Sequence, residues 1–280
     1  MKIFQQANQM LPYILEQKKN GKKIGFVPTM GALHKGHLSL IEASQKENDL
    51  TVCSIFVNPT QFNNPEDLEK YPRNDKEDIE KLEAIGCDIL YLPTAEDVYP
   101  GGMHSSEFDF GGIENQMEGE CRPGHFNGVA TVVNRLFRVT SPDAAYFGEK
   151  DYQQLAIVRK LMEIENFGFK LVGIPTFREK DGLAMSSRNV RLSPEFRAEA
   201  PKIYQFLLKA KDLCQNQDFK TVQKTIQEDF SKTELQLEYF KICDQNTLVE
   251  ATSREEGKNY RAFVAVFAGK IRLIDNLQIC

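Results

Sequence analysis

The chain has 280 residues, 41% of them hydrophobic and 27% charged, which excludes a disordered or collagen-like polymer and leaves room for one large or two smaller domains. Thirty-five Lys and Arg stand against 40 Asp and Glu, and a net charge of -5 offers no general field to nucleic acid or to an anionic membrane. An anionic ligand therefore needs a local cluster of donors.

In chain order, Phe4 to Lys19 spaces its apolar residues as a packing helix does. From residue 23 to residue 175, short apolar runs alternate with amphipathic stretches, the pattern of βα units and a parallel sheet. The expected strands are Lys23 to Val27, Leu50 to Val57, Cys87 to Leu92, Ala144 to Phe147 and Lys170 to Ile174, with helices at about Gly36 to Lys46, Asp75 to Ile85, Gly128 to Thr140 and Asp151 to Glu163. After Pro175 the pattern changes. Ser193-Pro194 is a capped helix start from which one long helix to about Cys214 is expected, followed by a helix at Phe219 to Phe230 and three strand-like runs, Leu235 to Ile242, Ala262 to Phe267 and Ile271 to Ile274. The fold class expected is α/β, a Rossmann-like doubly wound sheet in domain 1–175, with a smaller α+β domain at 176–280 covering the active site.

The longest apolar run, Ala262 to Ala268, is seven residues, against roughly 20 in a membrane-spanning helix. MKIFQQANQM does not read as a secretory signal, so a cytoplasmic chain with no membrane partner is expected. Six cysteines, the nearest two 29 positions apart at Cys214 and Cys243, read as reduced packing residues.

Four stretches carry chemistry. In FVPTMGALHKGHLSLIEAS, residues 26 to 44, a strand turns through Gly31 into His34-Lys35-Gly36-His37 at a helix mouth, where backbone N–H groups and the helix dipole favour an anion. Two histidines three apart also suit zinc, or a structural pair, but His104 and His125 are distant and the cysteines scattered, so no metal ligand set is expected. In IFVNPTQF, Asn58 and Gln61 follow the second strand, where neutral amides suit a small hydroxyl- and carboxylate-bearing substrate; Asn58-Pro59 equally suits a turn. In AYFGEKDYQQL, Lys150 is a point charge for a phosphate, whereas Asp151 and Gln154 also have the spacing of a helix cap and its partner. In REKDGLAMSSRNVRLS, Met185-Ser186-Ser187-Arg188 groups hydroxyls with a guanidinium, a surface for a triphosphate or an ordinary polar loop.

Strand, T-x-G-x-x-H-x-G-H and helix resemble the signature of the nucleotidylyltransferase superfamily, which includes the class I aminoacyl-tRNA synthetases. With RPGHFNGVATVV (Arg122 to Val133) and RLIDN (Arg272 to Asn276), the four stretches together resemble the pantoate-beta-alanine ligase family over most of the chain, most densely between residues 24 and 193. The resemblance implies an ATP-dependent condensation of pantoate with beta-alanine through a pantoyl adenylate, giving pantothenate, AMP and pyrophosphate. It implies that Met30, Gly31, Ala32, Leu33, His34, Lys35, Gly36 and His37 form an ATP-binding loop with His37 as proton donor. Gly148, Glu149, Lys150 and Asp151, Phe177, and Met185, Ser186, Ser187 and Arg188 are implied as further nucleotide-binding segments. Gln61 matches the contact to pantoate and beta-alanine, and Gln154 the second pantoate contact. Catalysis falls to His34, His37, Lys150 and Arg188, with Mg2+ held by phosphates and water, and the family is commonly a homodimer. Phe177, Thr60 and Asn127 depart from common choices of valine, methionine and aspartate or arginine, which bears on substrate affinity. The competing reading is a nucleotidyltransferase acting on a phosphate-ester acceptor, which would demand cations where Gln61 and Gln154 are neutral.

Overall fold

The structure is a computed structural model describing residues 1–63 and 65–280. The chain divides into two compact units, Met1–Glu149 with Gln154–Pro175, and Lys150–Gln153 with Thr176–Cys280.

The first unit contains, in chain order, β1 (Lys2–Phe4), α1 (Ala7–Lys19), β2 (Ile24–Thr29), α2 (Lys35–Glu47), β3 (Leu50–Ile55), the short α3 (Pro65–Glu69), α4 (Asp75–Ala84) and β4 (Ile89–Tyr91). It continues with the short α5 (Ala95–Val98) and α6 (Glu118–Cys121), then α7 (His125–Thr140), β5 (Ala144–Gly148), most of α8 (Tyr152–Ile164) and β6 (Lys170–Ile174). The six strands form one parallel sheet in the order β1-β4-β3-β2-β5-β6. Both faces of the central strands are covered, which is why they read as near-continuous apolar runs without alternation. Val27, Cys53, Ile55 and Leu90 pack with Leu40 and Ile41 of α2 and Leu82 of α4. Phe26 points to the opposite face and meets Phe137 of α7 edge-on at 6.1 Å.

Starting at β2, the chain adds β3 and β4 on one side, then returns to add β5 and β6 on the other. The winding reverses at β2, and ligands of open parallel sheets bind at the carboxyl ends of strands at such a reversal. The loop that follows β2 is the histidine-bearing stretch.

The second unit holds α9 (Pro194–Glu199), α10 (Lys202–Leu213), α11 (Phe219–Phe230) and an antiparallel sheet of β7 (Gln236–Asp244), β8 (Tyr260–Ala268) and β9 (Ile271–Gln278). Alternate residues of β8 (Ala262, Val264, Val266 and Ala268) join Ile203 and Leu207 of α10 and Val222, Ile226 and Phe230 of α11 in one apolar cluster. The fold is thus a doubly wound parallel sheet with helices, plus a small antiparallel sheet.

Element ends differ from the sequence expectation by a few residues in several places, and three differences have a clear physical reason. The helix expected from Ser193 to about Cys214 is two helices, because Pro201 has no N–H to continue the ladder and instead occupies the N-cap position of α10. Strand β2 runs through Pro28 to Thr29, opposite Ser54 and Ile55 of β3. The edge strand β1, paired through Lys2 and Ile89, is too short at three residues to show a period.

Candidate active site

Beyond β2 the chain makes a left-handed turn at Gly31 (φ 79°) and Ala32 (φ 49°). Ala32 is an L-residue in a region costing about 1–2 kcal/mol, and the turn is held from α4. The buried Asp78 carboxylate accepts from the N–H groups of Ala32 and Leu33, each at 2.7 Å, and Lys81 Nζ donates to Leu33 O at 2.7 Å. Burial raises the Asp78 carboxyl above its ordinary value against the pull of those N–H groups and of Lys81. Gly31 N–H donates to Thr29 Oγ1 at 3.2 Å.

His34 is the N-cap of α2. Its Nδ1 accepts from Gly36 N–H at 3.1 Å, His37 Nδ1 accepts from His34 N–H at 3.4 Å, and the rings stack with centroids 4.0 Å apart. This is a capping box in which histidines occupy both positions. A ring nitrogen that accepts carries no proton, so each neutral imidazole is protonated at Nε2 and donates from that atom. The backbone donors expected to meet an anion here, at Gly31, Ala32, Leu33, His34 and Gly36, are engaged with the protein's own oxygen and nitrogen atoms. The side chains at this helix start are the two stacked imidazoles and Lys35, which is exposed between them in sequence.

Gln61 closes the 3-10 turn Pro59–Gln61 after β3 and is 8% exposed. Its Nε2 reaches Met30 Sδ at 2.9 Å and its Oε1 accepts from Asn58 Nδ2 at 3.2 Å, so Met30, Asn58 and Gln61 are brought together. The Asn58 amide also donates to Gly128 O (3.1 Å) and accepts from Tyr99 OH (2.6 Å) and Thr60 Oγ1 (3.1 Å). With two donors and two acceptor positions used, Asn58 holds the turn and Gln61, as the turn reading has it. The Gln61 carbonyl accepts from His125 Nδ1 at 2.7 Å and Arg122 Nη2 at 3.1 Å, which fixes His125 as the Nδ1–H tautomer. Gln154 is half-buried on α8.

A 3-10 turn Glu149–Asp151 follows Gly148 at the end of β5 and leads into α8, and from Lys150 to Gln153 the chain belongs to the second unit. Lys150 Nζ lies 3.6 Å from Asp151 Oδ1. Phe177 O accepts from Met185 N–H at 3.0 Å, and the residue is 40% exposed. Ser186 Oγ accepts from Arg188 N–H at 3.2 Å and caps the 3-10 helix Ser187–Arg191.

Sequence reasoning gave no role to Asp78, Tyr99, Arg122 or His125. The last two lie inside the RPGHFNG stretch, which was the available signal; Asp78 looks like an ordinary first-turn acid of α4. Among the described residues no group of three or more His, Cys, Asp or Glu is arranged to hold a metal ion.

A parallel sheet whose winding reverses at a strand ending in T-x-G-x-x-H-x-G-H defines a nucleotidylyltransferase-like α/β protein. Comparison with known proteins narrows this. Residues 2–278 match the pantoate-beta-alanine ligase family. The pantothenate synthetases of Flavobacterium psychrophilum and Christiangramia forsetii are each 50% identical, over 100% of this chain and 100% and 99% of theirs. The crystal structure of the pantothenate synthetase of Thermus thermophilus superposes with a TM-score of 0.92 at 40% identity, covering 100% of this chain and 99% of that one. The pantoate-beta-alanine ligase of Francisella tularensis, complexed with beta-gamma ATP and beta-alanine, gives 0.83 at 38% identity over 99% and 97%. The chain belongs to the pantoate-beta-alanine ligase family, and it is a ligase.

Proposed function

We propose that the chain condenses pantoate with beta-alanine, using ATP, and that it does so in two steps. A pantoate carboxylate oxygen attacks the α-phosphorus and the bond to the bridging oxygen breaks, releasing pyrophosphate and leaving pantoyl adenylate. The beta-alanine amine then attacks the acyl carbon, and AMP leaves as the amide forms. No protein nucleophile is required. The observation that carries the reading is the His34–His37 capping box, whose geometry assigns a proton to each Nε2 at a helix mouth, in a chain of this family.

In this reading the two Nε2–H groups donate hydrogen bonds to phosphoryl oxygens as charge develops on them, His37 being the proton donor of such a bond and keeping its proton, and Lys150 and Arg188 supply positive charge. Met30 to His37, Gly148 to Asp151, Phe177 and Met185 to Arg188 bind the nucleotide. Gln61 and Gln154 take pantoate, Gln61 also takes beta-alanine, and Asn58 serves by holding Gln61. Mg2+ accompanies the triphosphate, bound by phosphates and water, as suits a cation that keeps much of its hydration. Residues 1–175 act as the nucleotide- and pantoate-binding domain and 176–280 as the α+β domain. A homodimer is the assembly the family resemblance favours, and sedimentation equilibrium checks it; a cytoplasmic location is the reading the amino-terminal sequence favours.

The test is a pyrophosphate-release assay with substrates omitted in turn. Release that needs both ATP and pantoate, then AMP release that needs beta-alanine, is expected. Pyrophosphate release unchanged without pantoate, or a dinucleotide product with a phosphate-ester acceptor, would overturn the reading.

A further inference from the structure

The closing RLIDN segment is assigned no role by the reading above. Its last two residues, Asp275 and Asn276, are 4% and 3% exposed on β9, a polar pair in the middle of an apolar sheet. Polar groups are retained in such a place only when fully paired, and their partners are specific.

Successive residues of a strand point to opposite faces, and the register separates these two. Asp275 pairs with Val264, on the face packed by α10 and α11; Asn276 pairs with Phe263, on the other. On the first face the Asp275 carboxylate accepts from both terminal nitrogens of Arg178, at 2.6 and 3.0 Å. Arg178 also donates to Gly182 O at 3.1 Å, forms a bridge with Ala184 and lies 3.7 Å over the Tyr204 ring. The hairpin pinned in this way runs directly into Met185-Ser186-Ser187-Arg188. On the second face the Asn276 amide nitrogen donates to Lys150 O at 2.8 Å, and its amide oxygen accepts from Arg261, whose guanidinium lies 3.9 Å over Tyr152. The Asn276 N–H itself donates to Asp275 Oδ1 at 2.8 Å, which joins the two halves.

We infer that Asp275 and Asn276 are positioning residues for the nucleotide: Asn276 fixes the main chain of Lys150, Asp275 fixes through Arg178 the hairpin that delivers Arg188, and β9 holds both segments in one frame. This inference rests on the proposed roles of Lys150 and Arg188 as phosphate groups. Removing one partner of a buried charged pair leaves the other uncompensated, so burial alone makes some loss of stability certain in Asp275 variants. Stability is therefore not the deciding readout.

The experiment is a pair of double-mutant cycles read by ATP affinity in titration calorimetry, a measurement that does not require turnover and so separates this inference from the identity of the acceptor. Asn276→Ala is combined with Lys150→Ala, and Asp275→Asn with Arg188→Ala, with thermal midpoints recorded for each. Asn276→Ala is expected to weaken ATP binding about 10- to 100-fold, the scale of a small misplacement of a binding group, and to add almost nothing when Lys150 is already alanine. Asp275→Asn should behave in the same way toward Arg188. Asn276→Asp, which keeps an acceptor for Arg261, adds a charge that Arg261 can pair and puts a carboxylate oxygen in place of the donor to Lys150 O, repeats the first cycle where the alanine variant folds poorly. Effects that multiply independently in both cycles, or unchanged ATP affinity in the single variants, would overturn the positioning role. Failure of wild-type pyrophosphate release to depend on pantoate would overturn the ligase reading and leave the cycles interpretable.

Discussion

His34 caps α2 and, in the proposed function, also donates to a phosphate, and the magnitudes of the two roles differ enough to be told apart. As an N-cap its side chain contributes about 1 kcal/mol to the helix. As a phosphate donor its loss should cost a factor of about 100 to 1000 in rate. Serine is a strong N-cap without an Nε2 donor, so His34→Ser is expected to retain the thermal midpoint within about a degree or two, given the few degrees per kcal/mol of a chain this long. It should also lose most of its pantoate-dependent pyrophosphate release. Near-normal activity in this variant would show that the pair is there for capping alone. The sequence made both histidines legible, because the motif and its helix are contiguous. The reciprocal Nδ1 contacts that settle the tautomer were not, since they depend on ring orientation, and neither was Asp78, whose contact with Ala32 spans 46 positions.

At the scale of elements, the approach of α7 to the turn before Gln61 is set by a missing side chain. A Cβ at Gly128 would stand 2.4 Å from Thr60 O and 2.9 Å from Gln61 N, both backbone atoms that cannot swing away. Gly128→Ala should therefore displace the turn, at about 1–3 kcal/mol of stability. Because Asn58 also donates to Gly128 O, the shift reaches the Gln61 amide. With the roles proposed for Gln61 and the histidines, the expected kinetic result is a raised KM for pantoate with the KM for ATP less changed, since the turn at Ala32 and Leu33 that leads into His34 is held by Asp78. A matching rise in both would mean that the two loops move as one. The strands of the parallel sheet were readable as apolar runs because both their faces are buried, and α10 was misjudged because apolar spacing continues across Pro201 while the backbone ladder does not. Tyr99, Arg122 and His125 converge on the 58–61 turn from two other segments, well separated from it along the chain, and no local pattern announces such a convergence.

For the whole molecule, the acid limb of stability combines two opposed groups of carboxyls. Asp181 is lowered although burial opposes it, because Arg197 and the Leu183 N–H outweigh that cost, and Asp244 is lowered, also against burial, by the N–H groups of Thr247 and Asn246. Asp78 and Asp275 are raised by burial despite their donors. For a lowered group the unfolded chain takes up the proton first, so its stabilisation is complete above the ordinary aspartate value of 3.8 and is lost as pH falls through the lower native pKa. For a raised group the native state protonates first, so lowering the pH through the window just above 3.8 adds stability. The Asp181 pair with Arg197 is about a third exposed on both sides, and an ion pair so placed is worth at most about 1 kcal/mol. Asp181→Asn should accordingly lower the thermal midpoint by a few degrees at pH 6, and the gap to wild type should narrow as the pH falls below about 3.8 and close below the lower native pKa, where both chains carry a neutral group at that position. Calorimetry across pH 3 to 7 checks this, and a gap that widens on acidification would show that the Asp181 carboxylate is not stabilised by Arg197.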